Sequence, residues 1–159
     1  MNAVDLLVTH HRRMEKLLKE VVEANGDEKA QRFTEIADIL AAHVTIEEQI
    51  FYPAVKVGRT EDILLESLEE HLSIKRVLAD LIALSPSDAT FDPKLHVLKE
   101  QVEHHHKEEE GDLFPKVRKL LDHERLSELG ETMEARRESL EAGKPRNIVL
   151  GQTNEAATV

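Results

Sequence analysis

The chain has 159 residues, with 21 basic and 32 acidic side chains, a formal net charge of −11 and no cysteine. A chain of this length fits one domain with a real core, and its negative charge argues against nucleic acid or an anionic membrane surface as a partner. The lack of cysteine excludes disulfides, iron–sulfur clusters, thiolate zinc sites and cysteine nucleophiles. We therefore expect a soluble, unprocessed, cytoplasmic protein without a membrane span.

Five segments carry the apolar periodicity of α-helices, and a residue that can cap a helix precedes each of them. The predicted helices lie near residues 3–24, 28–52, 61–84, 93–121 and 123–141. The predicted caps are Asn2, Asp27, Thr60, Asp92 and Asp122. The second helix is expected to end at Tyr52, because the proline at position 53 disfavours a helical conformation of the residue before it.

Long helices with short connections pack antiparallel to bury their apolar faces. The predicted fold class is therefore all-α, an up-down-up-down four-helix bundle over residues 1–122 with a short fifth C-terminal helix over 123–142. The fifth helix has a thin apolar stripe, which suits docking either on the outside of the bundle or on a second copy in a homodimer. Residues 143–159 are read as a polar tail without a motif.

Steps of three and four along each helix trace an apolar stripe, and the four stripes of the bundle also contain polar residues. These inward polar residues are His11, His43, Glu47, His71, Lys75, His105 and Glu109. The other histidines, and the glutamates beside Glu109, fall off the stripes. We interpret His10, His96, His104, His106, His123, Glu108 and Glu110 as flank or solvent-facing residues.

Buried carboxylates need compensation, either from a polar network or from a metal ion. The inward residues repeat, since His43-x3-Glu47-x5-Pro53 recurs as His105-x3-Glu109-x5-Pro115 at an offset of 62 residues. A two-fold repeat of a helical hairpin suits two metal ions, each with two imidazoles and a carboxylate. Nitrogen and oxygen ligands without sulfur suit iron, manganese or zinc, and a metal-free polar network remains the alternative.

The segments "DLLVTHHR", "HVTIEEQIFYP", "EEHLSIK" and "HHKEEEGDLFP" resemble the hemerythrin-like, or HHE cation-binding, family over residues 2–121. The resemblance implies a four-helix bundle that holds two Fe ions in a non-haem, oxo- or hydroxo-bridged di-iron centre. It implies that Glu47 and Glu109 bridge the irons. The ligands it implies are His11, His43, Glu47, His71, His105 and Glu109.

The chain also departs from the oxygen-carrying members of that family. They have HxxxH in the third helix and HxxxxD in the fourth, whereas this chain has His71-x3-Lys75 and Glu109. The single tyrosine, Tyr52, is a further candidate ligand or hydrogen-bond donor to the centre, and a phenolate there would favour ferric iron. Its alternative role is packing at the end of the bundle.

The resemblance and its departures lead to an expected oxidoreductase, a non-haem di-iron protein that reacts with hydrogen peroxide, nitric oxide or O2. Catalase-like decomposition of peroxide is the specific expectation, because the ligand set is rich in carboxylates and the chain carries no oxidisable thiol. One alternative is a protein that binds, stores or senses O2 or iron without turnover. Another is a metal-free helical interaction module.

Overall fold

In a computed structural model that describes residues 1–159, the chain is entirely helical, which confirms the predicted all-α class. Two π-helical turns, Glu47–Phe51 and Glu109–Leu113, continue two of the helices without a break. None of the helices combines the length and apolar character needed to cross a membrane. The α-helices are α1 Ala3–Glu23, α2 Gly26–Ile46, α3 Tyr52–Val55, α4 Glu61–Ala83, α5 Phe91–Glu108, α6 Phe114–Leu120, α7 His123–Glu141 and α8 Arg146–Leu150.

Two of the five predicted caps form the expected side-chain bond. The side chain of Asn2 accepts a hydrogen bond from the backbone N–H of the fifth residue, and that of Asp122 caps α7 in the same way. The predictions for Asp27 and Asp92 were wrong, because α2 and α5 begin ahead of these residues. Thr60 stands at the cap position of α4, but its hydroxyl instead donates to the carbonyl of Val55 and closes the preceding loop.

The expectation that the second helix ends at Tyr52 was wrong, since helical structure continues through Pro53 to Val55. The π turn explains this. The backbone N–H of Tyr52 bonds to the carbonyl of Glu47, five residues back, so that Pro53 enters the first turn of α3. A proline there is tolerated, because its missing N–H would have no partner within the helix. Pro115 enters α6 in the same way after the second π turn.

The long helices form a closed ring of contacts, in which α1 packs on α2 and α5, and α4 packs on α5 and α2. The core consists of two apolar clusters. One contains Leu7, Leu68 and Leu113, and the other contains Met14 and Leu98. Each fully buried leucine contributes about 1.5–3 kcal/mol. On α1, for example, His11 lies between Leu7 of the first cluster and Met14 of the second.

The fifth predicted helix is α7, which packs on α1, α2 and the first π turn of its own chain. Its apolar stripe is covered there and is not available to a second copy, so it offers no support for the expected homodimer. The stripe residues Leu126, Leu129, Met133 and Leu140 are all buried.

The segment after α7 contains an element that the sequence reading missed. Helix α8 packs on α2 and α4 and buries Val149, with 1% of its surface exposed. Arg146 fixes its start, because both its backbone N–H and its guanidinium donate to Asp38 of α2. The only sequence signal for this helix was the short apolar run "IVL" in an otherwise polar tail.

Candidate metal centre

The six inward histidines and glutamates meet in one buried layer between the two apolar clusters. Each of them exposes at most 3% of its surface. Four different helices and both π turns supply them: His11 from α1, His43 from α2, His71 from α4, His105 from α5, and Glu47 and Glu109 from the first residues of the two π turns. The structure therefore brings together all six histidines and glutamates that lie on the apolar stripes.

The first of two groups in this layer consists of His11, His43, Glu47 and Glu109, whose ligand atoms lie within 4.8 Å of one another. His43 Nε2 is 3.2 Å from Glu47 Oε1, and His11 Nε2 is 3.4 Å from Glu109 Oε1. These four atoms are buried and have no hydrogen-bond partner. Four convergent, unpaired nitrogen and oxygen atoms match the donor set of a divalent transition metal.

The second group contains Glu47, His71 and His105. His71 Nε2 is 3.1 Å from Glu47 Oε2 and 3.0 Å from His105 Nε2. His105 Nε2 is also 3.1 Å from Glu109 Oε1. Glu47 thus directs one carboxylate oxygen into each group, and Glu109 Oε1 faces a histidine of each group. Carboxylates in these positions are suited to link two metal ions.

Burial opposes ionisation of both carboxylates, yet the surrounding imidazoles outweigh it. Burial raises the pKa of Glu47, but His43, His105 and His71 lower it more, so that it lies well below its usual range. Burial and Glu47 raise the pKa of Glu109, and His105 and His11 lower it to about 2. Two charged carboxylates in a dry layer require positive charge nearby, which either the imidazoles of His11, His71 and His105, whose pKa the carboxylates raise against burial, or a bound cation can provide.

Tyr52 lies at the second group. Its hydroxyl donates to Glu109 Oε2 at 3.0 Å and lies 3.2 Å from His71 Nε2. Its ring stacks on His71, with centroids 5.4 Å apart. Burial, followed by the charges of Glu109 and Glu47, raises the pKa of Tyr52 well above its usual value, so the phenol is protonated. Packing at the bundle end is thus an incomplete description of this residue.

Three of the four histidines of the layer are held from outside by a carboxylate. The Nδ1 atoms of His11, His71 and His105 each lie 2.8 Å from a glutamate oxygen. Such a contact fixes the Nδ1–H tautomer and turns Nε2 toward the centre. The partners, in the same order, are Glu110, Glu48 and Glu70.

Glu48 and Glu110 follow Glu47 and Glu109 directly, so they are a second feature of the repeat. The other carboxylate oxygen of each accepts a hydrogen bond from a basic side chain. Glu48 accepts from Lys75, and Glu110 accepts from Arg12. Lys75 therefore stands beside the centre as the partner of Glu48. The sequence predicts a flank or solvent-facing position for Glu110, and the structure shows it half-buried because it contacts His11.

A metal-free polar network leaves part of this layer unsatisfied. Such a network would satisfy the buried groups internally, whereas four atoms that point into the first group lack partners. Each unpaired buried polar atom costs about 1–3 kcal/mol. The residues present therefore fit a bound cation better than they fit one another.

Comparison with known proteins supports the same conclusion. The sequence profile of the family described as the hemerythrin HHE cation-binding domain matches residues 2–117, which is most of the chain. The chain belongs to the hemerythrin HHE cation-binding domain family. The match includes all four long helices of the ring up to α6, and it leaves α7 and α8 outside.

Relatives of this HHE domain are known in sequence and in structure. An uncharacterized protein of Mycobacterium tuberculosis, Rv2633c, is 30% identical over 143 residues, which cover 88% of each chain. A crystal structure of its homolog from Mycobacterium kansasii, titled a hemerythrin HHE cation-binding domain-containing protein, has a TM-score of 0.82 at 27% identity. It covers 96% of this chain and 99% of its own. A protein of Nostoc sp. named a DNA nickase is 29% identical over 142 residues, but the match spans only 40% of that protein.

Sequence reasoning missed two buried histidines of this HHE domain. His106 exposes only 2% of its surface, and its ring stacks on that of His11 with centroids 3.7 Å apart. His10 exposes 7%, because α7 covers it and places Glu134 3.5 Å from its Nε2. Burial lowers the pKa of His106 to about 3 and that of His10 to about 4. The doublets "HH" on α1 and α5 were the available signal.

The other off-stripe residues lie where the sequence reading expected them. His96, His104, His123 and Glu108 are exposed. The ring nitrogens of His106, His11 and His43 also come within 4.8 Å of one another, so His106 borders the first group.

Proposed function

We propose that this HHE domain is a non-haem di-iron protein in which α1, α2, α4 and α5 form an up-down-up-down bundle around two irons. His11 and His43 would hold one iron and His71 and His105 the other, and Glu47 and Glu109 would contribute to both. The observation that carries the proposal is the convergence of four buried, unpaired ligand atoms on one point. The ring of helix contacts supports the bundle.

We further propose that the centre decomposes hydrogen peroxide. One peroxide is oxidised to O2 and a second is reduced to water, so the overall reaction needs no other electron donor. This suits a chain that has no cysteine to supply electrons. Bound iron would supply a Lewis acid and an electron reservoir.

The residues of the chain prepare the site for this reaction. Glu48, Glu70 and Glu110 hold three imidazoles in one orientation and tautomer. The Tyr52 hydroxyl holds Glu109 through Oε2 and offers the one phenolic proton of the site. Burial of the layer excludes bulk water and restricts entry to small reactants such as peroxide, nitric oxide and O2.

The first test is the metal content of protein purified without a histidine tag, measured by plasma mass spectrometry. We expect about two irons per chain, as the doubled ligand set requires. Two manganese or two zinc ions per chain would correct the assigned metal and leave the assigned site unchanged. No stoichiometric metal after anaerobic iron loading would overturn the proposal. A Glu66→Gln variant, altered at an exposed position of α4, serves as the control for handling losses.

The second test is oxygen evolution from peroxide, followed with an electrode. The iron-loaded protein should evolve oxygen faster than Glu47→Ala and His105→Ala variants at equal protein concentration. Equal rates in all three would contradict turnover at this centre and would attribute the activity to free iron.

Reversible binding of O2 is the second candidate function. The observation that favours it is the burial of all six ligand residues, which would protect a bound gas from water. The discriminating measurement is gas uptake by the reduced protein. Release of O2 under vacuum without oxidation of the metal would support binding, whereas irreversible oxidation would support turnover.

The nickase name belongs to a longer Nostoc protein, and we do not propose that activity here. The formal charge of −11 argues against binding to a phosphate backbone. A cytoplasmic location remains an expectation from the cysteine-free composition.

A further inference from the structure

A small cavity lies beside the centre, where α7 covers α1 and α2. Its volume is about 10 Å³, which is about the space that one water molecule needs. The lining is almost entirely polar: His10, Arg13, Ile39, His43, Arg137 and Glu141. A small cavity of this composition suits a water molecule rather than an apolar ligand.

Three buried atoms of the residues that line the cavity have no hydrogen-bond partner. They are Nδ1 of His10, Nδ1 of His43 and Oε1 of Glu141, the last of which lies 3.5 Å from a guanidinium nitrogen of Arg13. In the proposed metal centre Nε2 of His43, which points toward Glu47, binds the metal ion, so its Nδ1 carries the proton and acts as a donor. Nε2 of His10 instead faces the carboxylate of Glu134 and carries the proton, which leaves Nδ1 of His10 as an acceptor. The set is one donor and two acceptors, which a single water molecule satisfies by accepting once and donating twice.

The internal repeat explains why this cavity lies at His43 and not at its counterpart, His105. Glu70 precedes His71 and accepts from Nδ1 of His105 directly. The residue in the equivalent position is His10, which precedes His11 and lies beside His43 with ring centroids 5.8 Å apart. His43 is therefore the one histidine of the layer without a carboxylate at Nδ1, and Glu141 of α7 is the carboxylate that lines its cavity.

We propose that this cavity binds one water molecule that links His43 Nδ1–H to Glu141, so that Glu141 is a positioning residue of the metal centre. The water also donates to His10. Helix α7 thereby supplies the fourth outer carboxylate and belongs to the centre. Both the role of Glu141 and the donor at His43 Nδ1 rest on the proposed metal function.

The test combines a structure with metal affinities. A high-resolution crystal structure of the unmodified, zinc-loaded protein should contain a water molecule in contact with His43, His10 and Glu141. Zinc affinity, measured by competition with a chelator, should fall about 10-fold in Glu141→Leu, the lower end of the usual cost of losing an outer-shell partner. Glu141→Gln, which keeps an acceptor oxygen, should restore most of the affinity. Glu138→Leu, at an exposed position of α7, should leave the affinity unchanged.

The outcomes separate the two proposals. A metal-loaded crystal structure without the water, or wild-type affinity in Glu141→Leu, would overturn the inference while leaving the metal centre intact. Failure of the unmodified chain to bind any metal would instead overturn the proposed function, and with it the role of Glu141. Because the crystallographic measurement uses the unmodified protein, it decides the water site even where a substitution disturbs the docking of α7.

Discussion

Tyr52 is the residue at which the two halves of the centre differ, because its repeat counterpart is Phe114. The phenylalanine stacks near His11, with centroids 5.7 Å apart, as the tyrosine stacks on His71. We predict that Tyr52→Phe keeps the fold and both metals. It should lower the free energy of unfolding of the metal-free protein by about 1–3 kcal/mol, since Glu109 Oε2 loses its buried donor. Urea unfolding and plasma mass spectrometry measure the two quantities.

A different result would change the role assigned to this residue. Loss of one metal per chain in Tyr52→Phe would identify the phenol oxygen as a ligand. Phe51→Leu is the matched control, because it alters the neighbouring buried aromatic ring without removing a polar group.

The outer carboxylates lead to a prediction that separates them from ordinary surface charges. Glu48→Leu and Glu110→Leu should each lower metal affinity by about 10- to 100-fold, because an apolar side chain no longer accepts from Nδ1 of His71 or His11. Chelator competition measures the affinity. Glu66→Gln, exposed on α4, should match wild type. Equal affinities in all the variants would show that these contacts are only structural.

Helical periodicity could predict the six histidines and glutamates that meet in the buried layer but not these outer partners. The stripes depend only on position within a helix, which the sequence displays directly. Glu48 and Glu110 lie next to the stripe, and their contacts depend on how a neighbouring helix is placed. The dipeptide "EE" occurs in both halves of the repeat and was a signal. Adjacent glutamates, however, more often lie on the solvated surface.

At the scale of elements, the two π turns could not be predicted from periodicity. Each inserts one extra residue into a helix whose apolar periodicity is otherwise unchanged. They begin at Glu47 and Glu109 and thus lie 62 residues apart, at the offset of the ligand repeat. Each precedes a proline, which the wide turn allows to enter a new helix. The recurring spacing from glutamate to proline was the available signal, and π turns often occur at functional sites.

The docking of α7 on α1 depends on close contact at Gly130. A Cβ atom there would lie 2.3 Å from the carbonyl oxygen of Met1 and 2.9 Å from the backbone nitrogen of Ala3. We predict that Gly130→Ala lowers the free energy of unfolding by about 1–3 kcal/mol, because backbone must move to admit the methyl group. Gly111→Ala is the control, since nothing lies within 4 Å of its added Cβ. Equal stability of the two variants in urea would show that α7 docks loosely.

At the scale of the molecule, the sequence predicted the long helices and the shared polar layer well, since long amphipathic helices with few residues between them leave few ways to pack. The C-terminal region was less predictable. Helix α7 has a thin stripe, and α8 has five residues, so their positions depend on surfaces that form only after the ring of helices has assembled. The burial of His10 was missed for the same reason, because α7 provides its cover.

The final prediction concerns the stability of the whole chain. The buried carboxylates of Glu47 and Glu109 face one another, and Glu47 raises the pKa of Glu109, so a bound cation should stabilise the folded state relative to the unfolded one. Free metal at 100 times its dissociation constant contributes about 2.7 kcal/mol. Calorimetry should therefore show a lower Tm after dialysis against a chelator and recovery when metal is restored. A Glu47→Gln/Glu109→Gln double variant should lose this response, and Glu66→Gln should keep it. A Tm of the unmodified protein that is indifferent to chelator and to added metal would favour the metal-free interaction module, because the folded chain would then satisfy its polar layer without a cation.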